Sequence, residues 1–356
     1  MKHFSTRIIQ WYLQNKRDLP WRNTGDAYLI WLSEIILQQT RVDQGMAYYL
    51  KFASEFPTVA DLAEADTDKV MKLWQGLGYY SRARNLHAAA KMVHSEHKGT
   101  FPSDYEQILS LKGVGEYTAA AIASFAFNQP HAVVDGNVYR VLARVFGIET
   151  PIDSTQGKKE FSALANELLD KKDPGTHNQA IMEFGAMLCR PVNPDCPVCP
   201  LKYQCYAFAK KVVAELPVKA KKTKVRDRFF NYIVLSNKGT TAINRRTAKD
   251  IWINLYDFPL VETEKELTEE SFLSSAEWKS FIGKNKYAIR SASPYYKHIL
   301  SHQRIYARFW EIESPAALEK IIPPGAIIIK QEDIEKYAVP RLIELYLEKK
   351  NDLTLF

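Results

Sequence analysis

All four cysteines of this 356-residue chain, Cys189, Cys196, Cys199 and Cys205, fall within 17 consecutive positions as a C-x6-C-x2-C-x5-C array. Independent placement would scatter them, so one physical cause must hold them together. Pro191, Pro194, Pro197 and Pro200 interleave the array and deny it a helix, because proline removes an N–H donor and fixes φ. The segment is therefore a tight loop carrying four thiols. A disulfide pair does not suit a reducing compartment, and a structural zinc site more often brings two C-x-x-C knuckles than one. Four thiolates on such a loop suit one [4Fe-4S] cluster. Arg190 and Lys202 within it are either solvated surface cations or phosphate contacts.

Upstream of the array the apolar pattern is helical almost throughout. From Ala27 to Val42 the residues Tyr28, Leu29, Trp31, Leu32, Ile35, Ile36 and Leu37 nearly encircle the segment, which predicts a deeply buried helix. Further helices are expected near 61–75, 81–94, 105–111, 117–127, 138–146, 158–169 and 179–188, separated by short Gly, Pro and Asn punctuation. Downstream the period changes. Strand patterns cover 229–236, 298–312 and 326–329, with helical stretches near 271–282 and 339–347. Between these regions, Lys210 to Arg228 holds eight basic and two acidic residues, most of the chain's net charge of +7. The expected organisation is an all-α region over 1–209, a basic linker over 210–228 and an α+β domain over 229–356. The basic excess favours an acidic partner. No apolar run approaches the length of a membrane span, and the first 18 residues show no signal-peptide core, so a cytoplasmic protein is expected.

Two further features carry chemistry. Leu111-Lys112-Gly113-Val114-Gly115 lies between two helical segments. It reads either as a simple tight turn or as a helix-hairpin-helix, in which bare N–H groups at Gly113 and Gly115 hold a DNA phosphate. Twenty-two residues beyond Gly113, Asp135 precedes Gly136-Asn137-Val138 as a candidate helix N-cap. Helix N–H groups would keep that carboxylate ionised and able to face a developing cation on a sugar. Glu34, surrounded by Leu32, Ile35, Ile36 and Leu37, is desolvated on its helix, which raises its pKa and makes it either a usable acid or a structural partner for an arginine.

Hairpin, Val-Asp and cysteine loop occur in the order and approximate spacing of the endonuclease III superfamily of DNA glycosylases, which the array itself resembles. Leu19-Pro20-Trp21-Arg22, Trp31 through Val42, and Gly76-Leu77-Gly78-Tyr79-Tyr80-Ser81-Arg82-Ala83-Arg84-Asn85-Leu86 closely resemble the MutY family within it, the adenine glycosylases that act on A opposite 8-oxoguanine. The resemblance covers the chain and is strongest over 17–209. It implies that Glu34 delivers a proton to N7 of adenine and that Asp135 either stabilises the oxocarbenium-like sugar by its charge or captures it transiently, with Tyr117 and Asn137 in support. Bifunctional relatives carry a lysine two residues after the second hairpin glycine. Tyr117 stands there and cannot form an imine, so base removal without an efficient lyase step is expected, and Lys112 does not match that position. The resemblance further places Arg17, Trp21, Arg22, Leu37, Gln179 and Glu183 around the adenine pocket, and Gln39, Leu77 and Tyr79 at the intercalation surface.

For 229–356 the resemblance implies a Nudix-like domain that recognises 8-oxoguanine, so the expected fold is an all-α helix-hairpin-helix glycosylase domain with an iron-sulfur loop, followed by an α+β Nudix-like domain. Glu269-Glu270 lacks the Arg-Glu-x-x-Glu-Glu spacing that holds Mg²⁺, so no pyrophosphatase activity is expected. His298-Ile299-Leu300-Ser301-His302 aligns on a strand-like stretch with the lesion-inspecting Phe-Ser-His loop, Leu300 replacing the aromatic, so Ser301 and His302 are expected to read the altered edge. The partner expected is duplex DNA containing A opposite 8-oxoguanine or G, bound by a monomer. A thymine or mismatch glycosylase on the same scaffold and a non-catalytic DNA-binding module are the rivals. The first lacks the attached domain, and intact Glu34 and Asp135 oppose the second.

Overall fold

The computed structural model describes residues 4–220 and 225–354, with side chains to 350; part of the basic linker, 221–224, lies outside the described residues. Its helices are α1 (Phe4–Asn15), α2 (Ala27–Leu37), α3 (Val42–Glu55), α4 (Val59–Glu64), α5 (Thr67–Trp74), α6 (Ser81–Glu96), α7 (Tyr105–Ser110), α8 (Glu116–Phe127), α9 (Gly136–Phe146), α10 (Thr155–Leu168), α11 (Pro174–Met187), α12 (Tyr206–Lys210), α13 (Glu269–Ser274), α14 (Ala276–Ile282) and α15 (Arg341–Thr354). Strands are β1 (Arg226–Asn237), β2 (Thr240–Arg245), β3 (Tyr256–Asp257), β4 (Leu260–Thr263), β5 (Ala288–Ala292), β6 (Tyr296–Ile299), β7 (Gln303–Glu313) and β8 (Ala326–Lys330). Two units result. One joins the chain up to Glu64 with the helices from Asn85 into the basic segment, and the other joins Ala65–Arg84 with the chain from Val225 onward. Among the described residues no helix is long and apolar enough to cross a membrane.

In the first unit α2 is deeply buried and packs on α8. Trp31, Leu32 and Ile36 of α2 are inaccessible, and the run Ala119 to Ser124 of α8 is buried and, Ile122 apart, has small side chains that admit close neighbours. Each large α2 side chain taken from water contributes about 1.5–3 kcal/mol. Caps set the register of the helices around them: Asp26 starts α2, Ser154 starts α10, and Asp173 followed by Pro174 starts α11. Helix α9 stops at Gly147, in left-handed backbone, where a Cβ would meet the Tyr206 ring at 2.6 Å. Helices α9 and α11 cross so closely that a Cβ at Gly185 would lie 2.6 Å from Cβ of Asn137.

The second unit is one eight-stranded sheet in which β3-β2-β1-β7-β5 form the path. Strands β1 and β7 run parallel from Arg226 opposite Gln303 to Ser236 opposite Glu313, and β4, β6 and β8 pair antiparallel with β1, β7 and β2. Ile233, Leu235, Trp310 and Ile312 of this central pair face Phe272 and Trp278 of α13 and α14, with Phe272 stacked on Trp310 at 4.6 Å. Polar ties explain why Ala65–Arg84 belongs here. Asp68 pairs with Arg245 and accepts from Tyr256 Oη, Lys72 Nζ donates to the Tyr337 carbonyl, and Arg84 donates to that of Ile253.

Several expected elements divide. The helix expected over 27–42 ends at Leu37, because Gln38 turns extended and Gln39 is left-handed at φ 55°. The helix over 61–75 is α4 and α5, separated at Asp66, which caps α5. The helix over 271–282 breaks at Ser275, whose hydroxyl caps α14. The strand over 298–312 is the β6–β7 hairpin, so Leu300, Ser301 and His302 form its turn.

Candidate active site

Helices α2, α8, α9 and α11 and the 3-10 turn Pro20–Arg22 converge on one cleft of the first unit. Its lining includes Arg17, Trp21, Arg22, Glu34, Leu37, Tyr117, Asp135, Asn137, Gln179 and Glu183. The structure thus brings together ten side chains spread over 167 positions of sequence.

Glu34 is 8% exposed on α2. Burial pushes its carboxyl from an ordinary 4.5 up to about 7, and the nearby Asp135 adds to the rise. The hydrogen bond from Tyr117 Oη to Glu34 Oε2, 2.7 Å, and the charge of Arg22 act against it. Tyr117 is half-buried beside Glu34 and sits 3.9 Å from Met182 Sδ. Facing them, Asp135 caps α9: Oδ1 accepts from the Asn137 and Val138 N–H groups at 2.9 and 2.8 Å, and Oδ2 accepts from Asn137 Nδ2 at 2.8 Å. Burial raises the Asp135 carboxyl, while these three donors and Arg140 lower it. The helix N-terminus therefore does not set its charge alone. Arg140 bonds Asn137 Oδ1 at 2.8 Å and reaches the Cys189 carbonyl at 2.7 Å.

On the opposite wall Glu183, 1% exposed, receives forks from Arg17 (2.8 and 2.6 Å) and Arg22 (3.0 and 2.8 Å). Burial alone would push it up, but these bonds hold it at about 2. Trp21 meets the Tyr49 ring edge-on at 5.1 Å, and Gln179 Oε1 accepts from Tyr12 Oη. Tyr12, Ser33, Arg140 and Met182 were not singled out in sequence. Arg140 and Met182 stand one helical turn from Asn137 and Gln179, a spacing that points to them, whereas nothing marks Tyr12.

Gln39 is exposed outside this cleft. In the second unit Leu77 and Tyr79 line a different cleft with Trp252, Ser301 and His302. Tyr79 is 51% exposed in left-handed backbone at φ 47°, while Leu77 is only 6% exposed, so Tyr79 and not Leu77 offers its side chain to solvent. Ser301 Oγ and His302 Nδ1 are 3.2 Å apart on the exposed hairpin turn.

In the hairpin between α7 and α8, Gly113 takes φ 78°, and a Cβ there would strike Asn85 at 2.5 Å. Gly115 precedes α8 with open space around it. The four cysteines line one cavity with Arg144, Phe184, Leu188 and Leu201. Among the described residues no three His, Cys, Asp or Glu gather on a single metal-ion position. Arg144 Nη1 and the Leu201 N–H lie 3.5 and 3.4 Å from the sulfurs of Cys189 and Cys199. Burial pushes the Cys199 thiol up to about 11.

Residues 32–170 match the model for the HhH-GPD superfamily base excision DNA repair protein, and 231–349 match the NUDIX domain. An adenine DNA glycosylase of Buchnera aphidicola subsp. Acyrthosiphon pisum is 34% identical over 74% of this chain and 75% of its own. One from Schizosaccharomyces pombe is 32% identical over 94% and 86%. A solved thermostable thymine-DNA glycosylase aligns with a TM-score of 0.55 and 31% identity, over 59% of this chain and 96% of its own. These matches confirm the two-part fold, a helical glycosylase region followed by a strand-rich Nudix-like domain. The chain belongs to the adenine DNA glycosylase family and is a DNA glycosylase of base excision repair.

Proposed function

We propose that the enzyme removes adenine paired with 8-oxoguanine or G, by extruding the base into the cleft and hydrolysing its N-glycosidic bond without a lyase step. The observation that carries this reading is Glu34: a buried carboxyl poised near 7, opposite Asp135 in one cleft. Tyr117 occupies Oε2, which leaves Oε1 to carry the proton. That proton passes to adenine N7, the C1′–N9 bond breaks with its electron pair going to the base, and water adds to C1′ with loss of its own proton. Asp135, fixed by two backbone N–H groups and Asn137, faces the positive charge that develops on the sugar. Trp21, Arg22, Leu37, Gln179 and the Arg17–Glu183 pair shape the base pocket. Among the described residues no lysine lines the cleft to form an imine.

The hairpin glycines Gly113 and Gly115 hold a phosphate; Gln39, Leu77 and Tyr79 keep the intercalation role that the family resemblance gives them, with Tyr79 the one of the Leu77–Tyr79 turn that presents its side chain. Ser301 and His302 of the second domain inspect the opposite base. The protein acts as a monomer in the cytoplasm on duplex DNA. Cys189, Cys196, Cys199 and Cys205 hold one [4Fe-4S] cluster, which a shared cavity and N–H groups directed at sulfur fit; iron at about four per chain is expected, and stoichiometric zinc would overturn it.

Single-turnover excision on labelled duplexes carrying A opposite 8-oxoguanine, A opposite G and T opposite G, each developed with alkali, tests the reading. Fast loss of A opposite 8-oxoguanine, with little borohydride-trapped adduct, is expected. Release of T instead would favour the activity named for the solved thymine-DNA glycosylase, and efficient trapping would defeat the monofunctional assignment.

A further inference from the structure

Gln179 lines the cleft beside Glu34 and Asp135, and its orientation is set from behind. Tyr12, buried on α1, donates its hydroxyl proton to Gln179 Oε1 at 2.5 Å. A primary amide has one acceptor end and one donor end, and a tyrosine hydroxyl has a single proton to give. Leaving that proton without an acceptor in a buried place is costly, so the hydroxyl keeps Oε1 and turns Nε2 away from itself. Among the described residues no protein acceptor is assigned to Nε2. The ring cannot easily drift, because the Arg22 guanidinium lies over it at 5.6 Å and is itself forked onto Glu183.

We propose that Tyr12 is a positioning residue for base selection. By holding the acceptor end of Gln179 it makes the amide a fixed N–H donor toward the extruded base. The cleft then takes a purine with a bare ring nitrogen at that point and disfavours one that carries an N–H there. The ring nitrogens of adenine away from the glycosidic bond are all acceptors, whereas guanine carries a proton on N1 and 8-oxoguanine another on N7. Two donors facing each other leave both unsatisfied. The inference rests on the reading that adenine enters this cleft, and it goes beyond that reading in naming what fixes the polarity of the pocket.

Tyr12→Phe keeps the ring and its contact with Arg22 and removes only the hydroxyl. The test measures binding of wild type, Tyr12→Phe and Gln179→Glu to duplexes with adenine, 1-deazaadenine or 3-deazaadenine opposite one fixed base, N7 being the nitrogen that Glu34 faces. The wild type is expected to bind one of the two analogues about 10-fold more weakly than adenine, since that analogue lacks the acceptor facing Nε2. In Tyr12→Phe the penalty should shrink to within about threefold, because the amide is free to turn. Gln179→Glu, with acceptors only, should lose it with Tyr12 intact, which keeps the test decisive even if Tyr12→Phe folds poorly. An undiminished penalty in folded Tyr12→Phe, or no penalty in the wild type, would overturn the proposal. Wild-type excision of adenine, measured in parallel, separates that failure from failure of the adenine reading itself.

Discussion

The two walls of the cleft each bury a glutamate, and the two behave oppositely. Glu34 sits among apolar side chains with one hydroxyl donor and is poised at about 7, while Glu183, buried still more completely, is clamped by two guanidinium groups and held at about 2. Burial raises both; partners decide the outcome. The helix α2 wall therefore carries a carboxyl able to hold a proton near neutrality, and the α11 wall carries an anion that organises Arg17 and Arg22 around the cleft. Acid and scaffold are made from the same residue type by what surrounds it.

Removing the scaffold glutamate should have the larger effect on folding. Glu183→Ala leaves two facing arginines without their anion, which costs about 3–5 kcal/mol when a buried pair is broken, toward the lower end because Arg17 is a third exposed. Urea unfolding at neutral pH measures it; a loss under about 1 kcal/mol would mean that solvent already screens the clamp. The wild-type advantage should fade as pH falls from 4.5 towards 2, since the folded carboxyl titrates below the unfolded one and its stabilisation is present only above that window.

For Glu34 the sign reverses. Its folded pKa lies above the unfolded value, so the folded state binds the extra proton between about 4.5 and 7, and stability falls as pH rises through that range. Glu34→Gln removes the ionisable group while keeping an acceptor for Tyr117. It should stabilise the protein by about 3 kcal/mol above pH 7 and by little below pH 4.5, read as the difference in unfolding free energy at the two pH values. A gain that does not change with pH would show that Glu34 is not desolvated. A smaller effect is expected of Tyr117→Phe. It removes the bond that lowers Glu34, so the pH at which excision declines should move upward by a fraction of a unit, at a stability cost of about 1 kcal/mol; a downward move would contradict the assigned direction.

The same division explains what could be foreseen from sequence. Asp135 announced itself as an N-cap, and the apolar run around Glu34 announced its burial, because both are local patterns. Helix α1 repeats Phe4, Ile8 and Tyr12 on one face and could have been found by the same spacing, but its central contribution, the Tyr12 bond to Gln179, spans 167 positions and has no local signature. The end of α2 has no Gly or Pro to mark it; Gln39 takes the left-handed turn instead. Similarly, the continuous strand pattern through 298–312 hid a hairpin whose turn residues Leu300, Ser301 and His302 include no glycine. Ala65–Arg84 reads as parts of two helices either side of the Gly76-Leu77-Gly78 break, continuous with the helical region, and only the ion pair of Asp68 with Arg245 and the bonds of Lys72 and Arg84 reveal that it belongs with the sheet.

The most direct test of Glu34 as the proton donor is single-turnover excision of adenine opposite 8-oxoguanine across about pH 5 to 9, for wild type and Glu34→Gln side by side. The wild-type rate should decline as pH rises through about 7, and the variant should be slower by about 10²–10⁴-fold and show no such decline. A wild-type rate that stays level through pH 7, or a variant within a few-fold of wild type, would remove Glu34 from the chemistry.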